Sequence, residues 1–137
     1  MSKKPLDILV VDDQAGVRYL MEILINDTGH NCVTAKNGQE AVDSVKNADF
    51  DLVFMDIRMP VMDGLEALNK MKMMSSNIEV VMMTANNTDE AITKSHEGGA
   101  LKCMAKPFDV DDIRETIEQF IWSRDVKDQE MKSYRAI

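Results

Sequence analysis

Five short apolar runs punctuate the chain, at 6–11, 32–35, 52–55, 80–83 and 101–105. "LVFM" and "EVVMM" continue without polar alternation, as strands do when both faces of a parallel sheet are covered. Between the runs, apolar residues return at helical spacing. Val17, Leu20, Met21, Leu24 and Ile25 form the first stripe, which Gly29 stops. Ala41, Val42 and Val45 follow the turn "KNGQE", and Leu65, Leu68 and Met71 follow "MDG". Ala91, Ile92 and Ser95 lead into Gly98-Gly99. Val110, Ile113, Ile117, Phe120 and Ile121 make the last stripe, with Asp109 as its N-cap.

This alternation predicts an α/β fold of (βα)5 type. Right-handed crossovers turn it into an open, doubly wound, five-stranded parallel sheet with helices on both faces. Residues 1–122 read as one domain. The polar stretch 123–137, "SRDVKDQEMKSYRAI", either prolongs the last helix or frays, with the balance toward helix near its start.

Composition narrows the function classes. The 137 residues suit one domain, and 45% hydrophobic with 29% charged residues is a globular balance. A net charge of -8 argues against a nucleic-acid surface, because phosphate backbones are held by Lys and Arg. No apolar stretch reaches membrane-spanning length and no signal segment is seen, so a cytoplasmic protein is expected. Cys32 and Cys103 show no metal or redox spacing and read as small buried apolar residues. His30 and His96 read as turn and helix-end residues, and "DVDD" at 109–112 as helix capping.

Chemistry gathers at one rim. Ligands of such sheets bind beyond the carboxyl ends of the strands. Those ends present Asp12-Asp13, Asp56, Thr84 and Lys106, while the second strand ends in Ala35-Lys36, without an acid, as an edge strand would. Singly, each is an ordinary turn residue or solvated charge. Together, three carboxylates suit a hard divalent ion that keeps waters and meets a phosphate. A carboxylate beside that ion can attack phosphorus, with the ammonium and hydroxyl binding the phosphoryl oxygens. Asp56 is the natural nucleophile and Asp12 and Asp13 the natural metal holders.

The motifs "ILVVDDQ", "LVFMDIRMPVMDG", "VVMMTA" and "AKPFD" resemble, in order and spacing, the receiver domain of bacterial two-component response regulators. The forms "VDDQAGVR" and "AKPFDVDDIR" are especially similar to single-domain receivers of the sporulation-phosphorelay type. The resemblance implies a flavodoxin-like sheet in the order 2-1-3-4-5. It also implies that Asp56 accepts a phosphoryl group from a phosphohistidine. Mg2+, or Mn2+ in its place, would be held by Asp13, Asp56 and the backbone carbonyl of Arg58, with Asp12 acting through a metal-bound water. Thr84 would move to bond the phosphoryl group and Lys106 would pair with it, aimed by a cis Lys106-Pro107 bond. Pro60 and Gly64 suit a fixed turn, and Arg58 and Asn86 stand where the family tunes hydrolysis of the acyl phosphate. The implied partners are a sensor histidine kinase or a histidine phosphotransfer protein, met by a monomer through the first helix and the loops around the site. Val17, Leu20 and Met21 would serve there if exposed.

One departure stands out. Family members often carry an aromatic residue three positions before the lysine, and here that position is Cys103. A small thiol cannot make the rotamer change by which that aromatic reports the switch. Three other roles compete: the receiver part of a longer transcription regulator, an aspartate-nucleophile phosphohydrolase, and an unphosphorylated binding module. A phosphohydrolase of that kind carries its second aspartate two residues after the first, where this chain has Gln14. Slow self-dephosphorylation is expected, not turnover of an outside substrate.

Overall fold

The central strand is the most completely enclosed element: Leu52–Asp56 has no exposed side chain. It lies between β1 (Asp7–Val11) and β4 (Glu79–Thr84), with β2 (Asn31–Ala35) beyond β1 and β5 (Lys102–Ala105) beyond β4. All four pairings are parallel, giving the order β2-β1-β3-β4-β5 that the resemblance implies. Five helices alternate with the strands: α1 (Ala15–Asp27), α2 (Gly38–Asn47), α3 (Gly64–Met74), α4 (Asp89–Glu97) and α5 (Val110–Arg135). This computed structural model describes residues 4–75, 77–86 and 88–135, with side chains as far as 131.

Strand pleating sends alternate side chains to opposite faces. Leu9, Val11, Val53, Met55, Val80 and Met82 join Ala41 and Val42 of α2 and Ala67, Leu68 and Met71 of α3 in one apolar core. Ile8, Val10, Phe54, Val81 and Met83 are equally buried and point the other way. α1 lies against β1 and β2 and buries Met21 and Ile25. Its Leu20, expected inside, is 54% exposed, so the buried stripe is narrower than the spacing suggested.

The chain divides into two compact units, one ending at Pro107 and one beginning at Phe108. The second is α5, which runs unbroken to Arg135. Its start carries a reciprocal cap: the Asp112 amide donates to Asp109 Oδ1 and the Asp109 amide to Asp112 Oδ2, both at 2.9 Å. Asp109 is thus the expected cap.

Two readings of minor residues change. Neither cysteine is fully buried, and Cys32 is an inert thiol whose pKa is pushed up to about 12 by burial and then by the charge of Glu22. His30 is no simple turn residue. It is partly buried and its Nδ1 accepts the Leu6 amide at 3.0 Å, fastening the start of β1. Among the described residues no helix is long and apolar enough to cross a membrane.

Candidate functional site

Hydrogen bonding continues one residue past the strand ends and fixes the rim. The Asp12 amide donates to the Ala35 carbonyl at 3.2 Å, Ile57 to Met83 at 2.9 Å and Lys106 to Thr84 at 2.8 Å. Asp12, Asp56, Thr84 and Lys106 therefore stand on main chain held by neighbouring strands, not on free loops. Asp12 and Thr84 are buried, Asp56 nearly so, and Asp13 is exposed.

Behind Asp56 the chain turns sharply into α3. The Gly64 amide donates to the Ile57 carbonyl at 2.7 Å, and a Cβ at Gly64 would fall 2.1 Å from the main-chain oxygen of Asp56. Only glycine permits that approach. Asp63 then caps α3 by accepting the Glu66 amide at 2.9 Å. The "MPVMDG" turn holds a second special position: Val61 sits at φ 72, in the left-handed region that β-branched residues avoid.

The three acids meet. Asp12, Asp13 and Asp56 each offer a carboxylate oxygen, and these lie within 4.8 Å of one another. Lys106 Nζ bonds Asp12 Oδ2 at 2.6 Å and reaches Asp56 Oδ2 at 3.4 Å. Asp12 Oδ1 accepts the Gln14 amide at 2.9 Å, so both of its oxygens are engaged. The single ammonium is thus spent mainly on Asp12.

The electrostatics follow from that inequality. Asp56 has its carboxyl pKa raised, first by burial and further by the charge of Asp12; the Lys106 charge and hydrogen bonds from Lys106 and the Arg58 amide oppose the rise without cancelling it. Lys106 itself is also raised. Burial alone would lower it, but the hydrogen bond and charge of Asp12, then those of Asp56, outweigh burial. The ammonium is secure, and Asp56 is the carboxylate left under-compensated. Hard oxygen donors in this number and proximity fit a small divalent cation.

Thr84 lies at the same rim but faces its own loop. Its Oγ1 donates to the Asn86 carbonyl at 3.0 Å and accepts the Asn86 amide at 3.1 Å. The Lys106-Pro107 bond is cis. Asp12, Asp13, Asp56, Thr84 and Lys106 stand at this rim, and Arg58, expected through its carbonyl, meets Asp56 through its amide. The Arg18 guanidinium, which NH1 joins to the Asp12 carbonyl at 2.7 Å, had no signal in the pattern beyond helical spacing.

Comparison with known proteins agrees with this arrangement. Residues 8–118 match the family described as the response regulator receiver domain, and the chain belongs to that family. It is 43% identical over 114 residues to sporulation initiation phosphotransferase F of Bacillus subtilis, covering 83% of this chain and 92% of that protein. It is 33% identical over 136 residues to the transcriptional regulatory protein ZraR of Escherichia coli O157:H7, covering 99% of this chain but only 31% of that protein. Among solved structures, the Vibrio cholerae chemotaxis protein CheY4 matches at TM-score 0.82 and 28% identity, covering 85% of this chain and 99% of that one. The CheX-CheY-BeF3-Mg2+ complex of Borrelia burgdorferi also matches at TM-score 0.82 and 28% identity, covering 85% and 90%. The phosphohydrolase reading finds no support: residues 8–118 match the receiver family, and the position two past Asp12, where such an enzyme carries its second aspartate, is Gln14.

Proposed function

We propose that Asp56 accepts a phosphoryl group from a phosphohistidine and that the chain relays it or presents it to a partner. The observation that carries this reading is the charge imbalance at the rim: Lys106 stands at 2.6 Å from Asp12 and at 3.4 Å from Asp56, a carboxylate that is 8% exposed and otherwise receives the neutral Arg58 amide. Asp13, Asp56 and the main-chain carbonyl of Arg58 would hold Mg2+ or Mn2+, with Asp12 acting through a water. The cation supplies charge neutralisation between the carboxylates and the incoming phosphoryl oxygens. The related Borrelia burgdorferi complex contains Mg2+ together with BeF3, which supports that choice of ion.

In the transfer, an Asp56 oxygen forms a bond to phosphorus as the phosphorus–nitrogen bond of the donor breaks. The electron pair stays on the imidazole nitrogen, which takes up a proton. Lys106 is placed to exchange Asp56 for a phosphoryl oxygen without leaving Asp12. Thr84 must surrender the bond it donates to the Asn86 carbonyl before its hydroxyl can serve the phosphoryl group, so modification pulls on the loop that leads into α4. That helix buries only Ser95 and yields more readily than α3, which buries four residues.

A histidine kinase or histidine phosphotransfer protein is the expected partner, approached by a monomer in the cytoplasm without nucleic acid or membrane. Tyr19, Leu20 and Ile23 form an exposed apolar strip on α1, next to the Asp12-Asp13 loop, and suit its docking. Cys103 cannot reproduce the family's aromatic swing, which favours presentation of Asp56 over a swing at β5. Residues 1–122 carry this function and 123–135 continue α5. A second reading has one observation in its favour: the match to ZraR extends through the α5 extension, as a receiver joined to further domains would. The acceptor chemistry common to both is tested by incubating the chain with a 32P-labelled histidine phosphotransfer domain. Label that moves to the chain and is released by hydroxylamine supports an acyl phosphate; label that never leaves the donor, from kinases or transfer domains alike, overturns the relay.

A further inference from the structure

We infer that Arg18 is a positioning residue for the divalent cation, acting through the main chain of Asp12; this rests on the metal-assisted reading given above. Three helices of the first unit begin on a side-chain cap. Asn37, Asp63 and Thr88 accept the amides of Glu40, Glu66 and Ala91. α1 does not: its N-cap is Gln14, whose side chain makes no capping bond, and its first turn has no acidic residue. Something else must set the path from β1 into α1.

The structure shows what does. Arg18 sits one turn into α1, its amide bonded to the Gln14 carbonyl at 3.2 Å, and its side chain folds back so that NH1 donates to the Asp12 carbonyl at 2.7 Å. The Gln14 amide meanwhile donates to Asp12 Oδ1. Asp13 is the one residue spanned by this pair of bonds. Its carboxylate hangs on a peptide segment clamped from the strand side by Asp12 and from the helix side by Arg18. Removing the clamp lets Asp13 move away from Asp56, and a site built from few protein oxygens cannot absorb that loss.

A guanidinium near a cation site has a second effect of opposite sign. As a positive charge it repels the ion, so if charge were its only role, deleting it would tighten binding. The sign of the change therefore separates a clamp from a bystander. The test follows Mn2+ binding by electron paramagnetic resonance for the wild type and Arg18→Met, which keeps the apolar stem. It is paired with hydrogen exchange of the Gln14 and Phe54 amides in the metal-free chain. The expected result is about tenfold weaker Mn2+ binding, with faster exchange at Gln14 and unchanged exchange at Phe54. Arg18→Gln, uncharged and too short for the carbonyl, gives the same sign test if the Met variant does not fold. Binding equal to or tighter than wild type overturns the inference. A wild type that binds no Mn2+ overturns the metal-assisted reading and this inference with it, a failure distinguished by the wild-type arm alone.

Discussion

Both ends of the sheet gather acidic residues, and they do so in different ways. At the amino-terminal end Asp7 and Asp51 exchange main-chain and carboxylate bonds: the Asp7 amide donates to Asp51 Oδ2 at 2.9 Å and the Asp51 amide to the Asp7 carbonyl at 2.8 Å. Asn31 Nδ2 donates to Asp7 Oδ1 at 3.1 Å, in largely exposed surroundings. Two of the donors to these carboxylates are neutral, the Asp7 amide and the Asn31 side-chain amide. At the carboxyl end two buried carboxylates, Asp12 and Asp56, share the Lys106 ammonium, with the exposed Asp13 carboxylate beside them. An acidic cluster by itself says little; burial with too few donors makes one a site, because the free chain is held short of its electrostatic minimum.

The contrast can be broken most forcefully at Lys106. Lys106→Met leaves Asp12 and Asp56 buried without a cation and is expected to cost about 3 kcal/mol in metal-free urea unfolding. Asn31→Ala, at the other end, should cost less than about 0.5 kcal/mol because its partner is exposed. Equal losses would erase the distinction between the two ends. Gly64→Ala comes next, at about 2–3 kcal/mol, since its methyl would press on the Asp56 carbonyl rather than on a yielding side chain.

Asp56→Asn goes the other way. The folded chain raises the Asp56 pKa above its ordinary 3.8, so folding favours the neutral carboxyl relative to the unfolded chain. Its contribution to stability is complete below that value and is lost as pH rises through the higher folded one. At neutral pH the metal-free protein therefore carries a cost that asparagine removes. The variant should be more stable by about 1 kcal/mol in thermal unfolding with a chelator. A less stable variant would mean that the pull of Lys106 outweighs burial after all.

The smallest effect lies at the opposite end, at His30. Burial lowers its pKa from 6.5, against the opposing charge of Asp51, and protonation of Nδ1 would break the bond from the Leu6 amide. A lowered folded value gives stability that is fully present above 6.5 and lost as pH falls from there through the folded value. Unfolding measured across that window should show a decline that His30→Gln flattens, with no change in Mn2+ binding.

The strands, the helices and the rim residues were legible because each rests on local signals, whereas the strand order came with the family resemblance. Continuous apolar runs mark buried parallel strands, and a parallel strand must end at the same rim as its neighbours, so Asp12, Asp56, Thr84 and Lys106 had to converge. Other features depend on tertiary partners that no spacing encodes. Leu20 has the period of a core residue yet faces outward, since α1 covers the sheet with a narrow stripe. Thr84 could be placed at the rim, but its bonds to Asn86 arise from the loop's own path. Val61 carries no residue-type signal for a left-handed backbone. Arg18 looks like any polar helical residue until its chain is seen folding back on Asp12.

The most direct test of the central claim is intact mass after incubation with acetyl phosphate, with and without Mg2+, on the wild type and on Asp56→Asn. One phosphoryl addition that requires both Mg2+ and Asp56 is the predicted result. An addition that persists in the Asn variant would contradict the assignment of Asp56 as the acceptor.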